Sequence, residues 1–280
     1  MLCVAAVLLT ACGGEAPKED TTAAPVADTS AAASNDTEQQ SYSLPSPLQI
    51  ASIFKKSGLK YKDGVTSPMK DPAKYTASLN QALNLGVYSA DLSYTVLNKQ
   101  NQESMAYMKL SRQLADKLGM SAVFDEGNLA TRFEKNLGNE DSLAYIIAEL
   151  QMLTDMYLDE NNQQQITSIV FAGAWIESMY IGSKVFDGGK KSGLNNKLAE
   201  QLNILGSILK SLNAQLKKDP AIAGLTADLQ TIKNIYDELP SVKNNPGAAD
   251  DSEKELSLTN EEVVTLSKKI EEVRTKFIKG

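Results

Sequence analysis

Hydrophobic positions along this chain recur almost everywhere at three- and four-residue steps, and the two-residue alternation of a strand is scarce. The pattern predicts a short helix over 46–57, with Pro47 in its first turn and Gly58 just past its end. A loop containing Asp63-Gly64 and Pro68 follows. A long helix is expected over 71–98, capped by Asp71 with Pro72 at its first position. Further helices are expected over 102–118, ending at Gly119, and over 122–137, interrupted at Gly127. Asn139 is placed to cap a helix through Leu158, with Glu140 and Asp141 at its positive end. Residues 166–186 are the least polar stretch after the N-terminal run, and Asp187-Gly188-Gly189 ends them.

The remainder has a different texture. Leu194, Leu198, Leu202, Leu205, Leu209, Leu212 and Leu216 form one stripe. Asp219-Pro220 opens a helix carrying Ile222, Leu225, Leu229, Ile232, Tyr236 and Leu239. After a linker over 240–258, Thr259-x-x-Glu262 forms a capping box, and Val263, Leu266, Ile270, Val273 and Phe277 repeat the alternation. Three such helices suffice for an antiparallel bundle. The expectation is an all-α protein: a helical array over 45–187 and a three-helix bundle over 192–280, with a common core left open.

The N-terminus belongs to neither part. A short apolar run ends in Leu9-Thr10-Ala11-Cys12, followed by Gly13-Gly14. An apolar stretch this short, closed by small residues, reads as an export signal over 1–11 and not as a membrane span. The string resembles the lipobox of bacterial lipoproteins, which implies acylation of Cys12 and cleavage just before it. A leader starts with basic residues, and none precedes Lys18, so it is expected to begin upstream of Met1. Residues 13–44 hold six acids and one Lys among Ala, Thr, Ser and Pro. Such a segment buries too little apolar surface to offset its ordering entropy, and about 30 flexible residues reach roughly 30 Å. It reads as a tether between bilayer and body. The chain as a whole looks like helical lipoproteins exported by Bacteroidota, a resemblance that brings no assigned activity. Gly13 differs from the Asp that retains many lipoproteins of other bacteria at the inner membrane, and no compact acidic cluster resembling a surface-export signal follows. An outer-membrane position facing the periplasm is therefore expected.

Composition narrows the chemistry. The chain has no His, and its two Cys are Cys3 and Cys12, the first lost with the leader and the second alkylated. Imidazole-activated nucleophiles, Cys/His zinc sites and His-ligated iron are thereby removed. No cofactor or metal site is expected. Of the net charge of −7, −5 falls on the tether, so the body is nearly neutral and lacks the basic stripe that nucleic acid requires.

Glu177 stands out because residues apolar nearly all round its helix predict burial. A carboxylate there must be paired or keep its proton. It reads either as a ligand-facing acid with Tyr180 as phenolic partner, or as a structural carboxylate satisfied by a Tyr, Lys184 or a helix-end amide. Asp91 echoes it. Gly86-Val-Tyr-Ser-Ala-Asp91-Leu-Ser-Tyr94 resembles Gly173-Ala-Trp-Ile-Glu177-Ser-Met-Tyr180, so two acid–tyrosine pairs could meet if the helices pack at their glycines. Gly188-Gly189-Lys190-Lys191-Ser192-Gly193 lacks P-loop spacing and follows a helix. Asp155-x-x-x-Asp159-Glu160 lacks the ladder of a calcium loop, and the acids at 250–255 sit in a linker. The Met and Tyr residues on the helices, Tyr145, Met152 and Met156 among them, read by default as core.

Two functions compete. One is a non-enzymatic, lipid-anchored protein whose body binds another envelope protein, which calls for an exposed apolar patch. The other is a small-ligand or cation binder, with catalysis left open, built on Glu177, Tyr180, Asp91 and Tyr94; it needs these side chains to line a solvent-reaching cavity of a few hundred Å³.

Overall fold

The computed structural model describes residues 45–186, 193–245 and 256–280. Cys12 and the segments expected to be leader and tether lie outside the described residues, as do the expected break at 187–189, Lys190 to Ser192 and the acids at 250–255.

Helix α1 (Pro47–Lys56) begins at a full capping box: Ser46 Oγ accepts from the Gln49 amide, and Gln49 Oε1 accepts from the Ser46 amide. The helix expected over 71–98 is shorter than its pattern. Asp71 caps only a 3₁₀ turn, Pro72–Lys74, and Tyr75 then leaves it in an extended conformation. The break lets the Tyr75 ring become buried and its hydroxyl reach the Ile278 carbonyl at 3.3 Å. Helix α2 starts only at Ser78 and runs to Leu97 (Ser78–Leu97). There follow α3 (Asn101–Lys117), α4 (Ser121–Asp125), α5 (Leu129–Lys135) and α6 (Glu140–Glu160). Gly127, with φ +62°, makes the turn between α4 and α5. Asn139 caps α6 by accepting from the Ser142 amide at 3.1 Å. Helix α7 (Gln164–Val185) precedes α8 (Leu194–Gln215), α9 (Ala223–Glu238), α10 (Pro240–Lys243) and α11 (Asn260–Lys279).

The chain is all-α, and among the described residues there is no strand. The buried residues form two clusters, and their division is not the one near residue 190. One cluster joins α1 and α7 to the stripes of α8, α9 and α11, including Phe54, Trp175, Leu205, Ile232 and Ile270. The other gathers α3 to α6 with Tyr75 and Ile278. Helix α2 serves both: Leu83 and Tyr94 face the first, and Leu85, Tyr88, Leu92 and Val96 the second. The C-terminal helices therefore share a core with the array, and α11 packs most extensively against α7, outside the expected three-helix set.

Polar tethers hold this arrangement. Trp175 Nε1 donates to the Gln201 carbonyl at 3.0 Å, joining α7 to α8. Glu262 serves its own capping box and also accepts from the Ser241 amide at 2.8 Å, fixing α10 to the start of α11. Asn84 and Lys70 donate to the Phe277 and Ile278 carbonyls at 2.9 and 2.6 Å, satisfying acceptors that the C-terminus of α11 leaves open. Among the described residues no helix is long and apolar enough to cross a membrane.

Candidate functional site

The two matching sequence segments do meet, and glycine is what lets them. A Cβ on Gly86 of α2 would stand 1.9 Å from the Val170 carbonyl oxygen of α7. One on Gly173 would stand 2.1 Å from the Leu83 carbonyl oxygen. The helices run in the same direction at this contact, so the residues one turn further on also face each other. Those residues are Asp91 and Glu177, and both are 0% exposed.

Three ionisable groups converge there. Arg274 of α11 grips Glu177 in a bidentate pair, Nε to Oε2 and Nη2 to Oε1, each at 2.7 Å. Its guanidinium also lies 4.0 Å from the centre of the Tyr180 ring, in cation–π geometry. Asp91 lies within hydrogen-bonding reach of Glu177. The Ser67 amide donates to Asp91 Oδ2 at 3.2 Å, and the Ser67 hydroxyl donates to the same oxygen. Tyr107 closes the far side, donating to the Ser67 carbonyl at 2.6 Å.

Two carboxyls and one guanidinium in a dry interior cannot all be charged without an unmatched anion. Burial and the neighbouring Glu177 carboxylate hold the Asp91 carboxyl well above the ordinary carboxylate range, against the opposing pull of Ser67 and Arg274. Burial also raises Glu177, whereas Arg274 and the hydrogen bond from Asp91 favour its ionised form. Both carboxyls are thus biased toward their protonated forms, Asp91 the more strongly, while Glu177 pairs with Arg274.

This arrangement corrects the ligand reading of Glu177, Tyr180, Asp91 and Tyr94. Their carboxylates do not line a solvent-reaching cavity; they are closed by Arg274 and Ser67. Tyr180 covers the guanidinium and contributes its ring, not its phenol. Tyr94 turns away from the cluster. Its oxygen accepts from the Lys62 amide at 2.7 Å, and its ring stacks on Tyr61 with centroids 5.6 Å apart. Arg274, Ser67 and Tyr107 are members of the cluster that the sequence pattern does not single out. Among the described residues no group of His, Cys, Asp and Glu is arranged to hold a metal ion.

A cavity of about 40 Å³ lies between α2, α3, α4 and α6. Its walls are Leu85, Leu92, Met120, Phe124 and Ile147, with the unpartnered Ser111 Oγ turned into the interior. That volume suits ordered water and is far below a ligand pocket of about 300 Å³ or more.

The outer face of α6 groups three exposed large apolar side chains, whereas Met69, Leu137 and Val264 stand exposed singly on other segments. Tyr145, Met152 and Met156 are 67, 53 and 50% exposed, which corrects their expected place in the core. At 3.6 residues per turn they fall within about 40° of one another. The opposite face of α6 is filled by Leu143, Ile146, Ile147, Leu150 and Leu158, so these three have no interior to enter. Compared with known protein families, curated proteins and solved structures, the chain has no match.

Proposed function

We propose that this is a membrane-tethered, non-catalytic interaction protein of the cell envelope, anchored through acylated Cys12 and engaging a partner protein with its helical body. The anchor rests on Leu9-Thr10-Ala11-Cys12 and the acidic segment behind it. The interaction role rests on one observation above all: Tyr145, Met152 and Met156 stand exposed in a single stripe, while the interior acids are sealed. Tyr and Met are enriched at protein interfaces, Tyr for its large amphipathic ring and Met for its adaptable, polarisable side chain.

Two measurements test the proposal on native material. Mass spectrometry of the envelope fraction is expected to find the chain beginning at an acylated Cys12; an unmodified polypeptide retaining residues 1–11 overturns the anchor. Photo-crosslinking from position 145 or 152 of the lipidated chain, in its own envelope, is expected to yield discrete adducts with another protein. A chain that crosslinks only to lipid and water overturns the interaction role.

A further inference from the structure

We infer that the outer face of α6 receives a cationic amphipathic helix of its partner, an assignment that rests on the interaction role just proposed and adds the partner's chemistry. The argument begins with charge. Residues 121–165 carry nine acids and two bases, whereas residues 45–120 carry five acids and ten bases. Helix α6 itself contains no Lys or Arg. Two of its six acids are already matched within the chain: Glu140 by Lys55 at 2.5 Å, and Glu149 by Arg132 in a bidentate pair at 2.9 and 2.7 Å. The other four are not. Asp155 takes only the Gln151 amide and Asp159 only that of Gln164; Asp141 and Glu160, like these two, have no cationic partner among the described residues.

These unmatched acids bracket the apolar stripe. Asp141 lies one turn before Tyr145, and Asp159 lies three residues after Met156. The span from one to the other is about 27 Å along the helix, the length of an 18-residue helix laid beside it. Every interior amide and carbonyl of α6 is spent within the helix, so a partner must dock through side chains, ridge into groove, and not by strand addition. It needs an apolar stripe to cover Tyr145 and the two methionines, and cations flanking that stripe to meet the acids. The chain's own tether is the wrong complement, because residues 13–44 carry six acids against one Lys. An anionic bilayer surface is repelled for the same reason.

The test uses the full chain and two labelled 18-residue peptides: one with Leu and Lys at amphipathic helical spacing, and one with Glu at every Lys position. The Lys peptide is expected to bind, to weaken several-fold between about 50 and 200 mM salt, and to photo-crosslink to α6. Met152→Ser with Met156→Ser is expected to weaken it about tenfold, and Asp141→Asn with Asp159→Asn to flatten its salt dependence, both without lowering the melting temperature. Equal binding of the Glu peptide overturns the inference, as do crosslinks elsewhere on the body, indifference to the methionine pair, self-association of the chain through α6, or adsorption to anionic vesicles through that face. If envelope crosslinking from position 145 or 152 still captures a protein while the Lys peptide fails, only the partner's chemistry is wrong. If that crosslinking captures nothing, the interaction role itself falls.

Discussion

Asp91 and Glu177 lie on helices buried on every side, whereas Asp141, Asp155 and Asp159 lie on a helix with one dry face and one wet one. Both regions combine acids with aromatic or thioether side chains. In the interior each carboxyl is accounted for, one by a guanidinium from the far end of the chain and the other by the amide and hydroxyl of Ser67. On α6 Glu140 and Glu149 are matched in the same manner, and the other four acids are left without a cationic partner beside three exposed apolar side chains. An acid whose partner lies in the same chain fixes the fold; an acid left unmatched beside exposed apolar surface is free to meet a partner's charge. Substitutions in the two regions should therefore differ in what they damage.

The sharpest contrast comes from Arg274→Ala. It leaves Glu177 without its cation at 0% exposure, and breaking a buried pair from one side typically costs about 3–5 kcal/mol. The urea midpoint should fall accordingly. The double variant Glu177→Leu with Arg274→Met should recover most of that loss, because two packed apolar groups leave no charge to match. If Arg274→Ala unfolds at the wild-type midpoint, the interior cluster is not the structural device described.

Next in size is the glycine crossing. A Cβ at Gly86 or Gly173 would meet a backbone carbonyl oxygen at 1.9 or 2.1 Å, and backbone cannot yield as a side-chain tip does. Gly173→Ala should cost roughly 1–3 kcal/mol as α2 and α7 separate. It should also loosen Asp91 from Glu177, seen as faster amide exchange along both helices. Gly206, where an added Cβ would only touch the end of Lys233 at 3.9 Å, supplies the control: Gly206→Ala should be neutral or slightly stabilising.

Titration separates the regions without truncating either. Asp91 has a folded pKa above its unfolded value of 3.8, so between those two values the native state binds the extra proton. Its contribution is full below about pH 4 and is lost as pH rises toward the raised value, at up to about 1.4 kcal/mol per pH unit. Glu149, whose carboxyl is lowered by Arg132, gives the opposite sign, its contribution present at neutral pH and lost toward acid. Asp91→Asn keeps a donor for Glu177 and removes the titration. Its unfolding free energy should lack the decline above pH 4 expected of the parent chain; an identical decline in both would place the titrating group elsewhere.

Much of this fold is legible in the sequence, because caps and periodicity are local. Ser46, Asn139 and Thr259 each cap the helix that the sequence predicts. The juxtaposition of Asp91 and Glu177 is legible too, since each follows a glycine by about one turn and glycine is where two helix backbones can approach. Arg274 is not legible as their partner. It sits on the flank of the Ile270, Val273 and Phe277 stripe, and nothing in the spacing says which helix that flank will face. One hint exists: the chain has three arginines, at 112, 132 and 274, against lysine everywhere else, and all three pair with carboxylates. Ser67 comes from a loop, where no period helps. Tyr94 departs from its expected place because its hydroxyl finds the Lys62 backbone before it can reach Asp91. Tyr145, Met152 and Met156 depart from the core because their register opposes that of Leu143, Ile146 and Leu150, and residue type alone carries no register.

The smallest expected effect is on the open side of the comparison, where the informative result is a null in stability joined to a change in binding. Met152→Ser removes an apolar side chain that is 53% exposed, so its unfolding free energy should shift by no more than about 0.5 kcal/mol. The same replacement at Met179, which is 1% exposed within the α7 core, should cost several kcal/mol by leaving a cavity and burying a hydroxyl. Calorimetry of the two variants side by side tests the placement of α6 directly. A large loss at Met152 would mean that its face is covered in the native protein, and the acids bracketing it would then be part of an interface already formed.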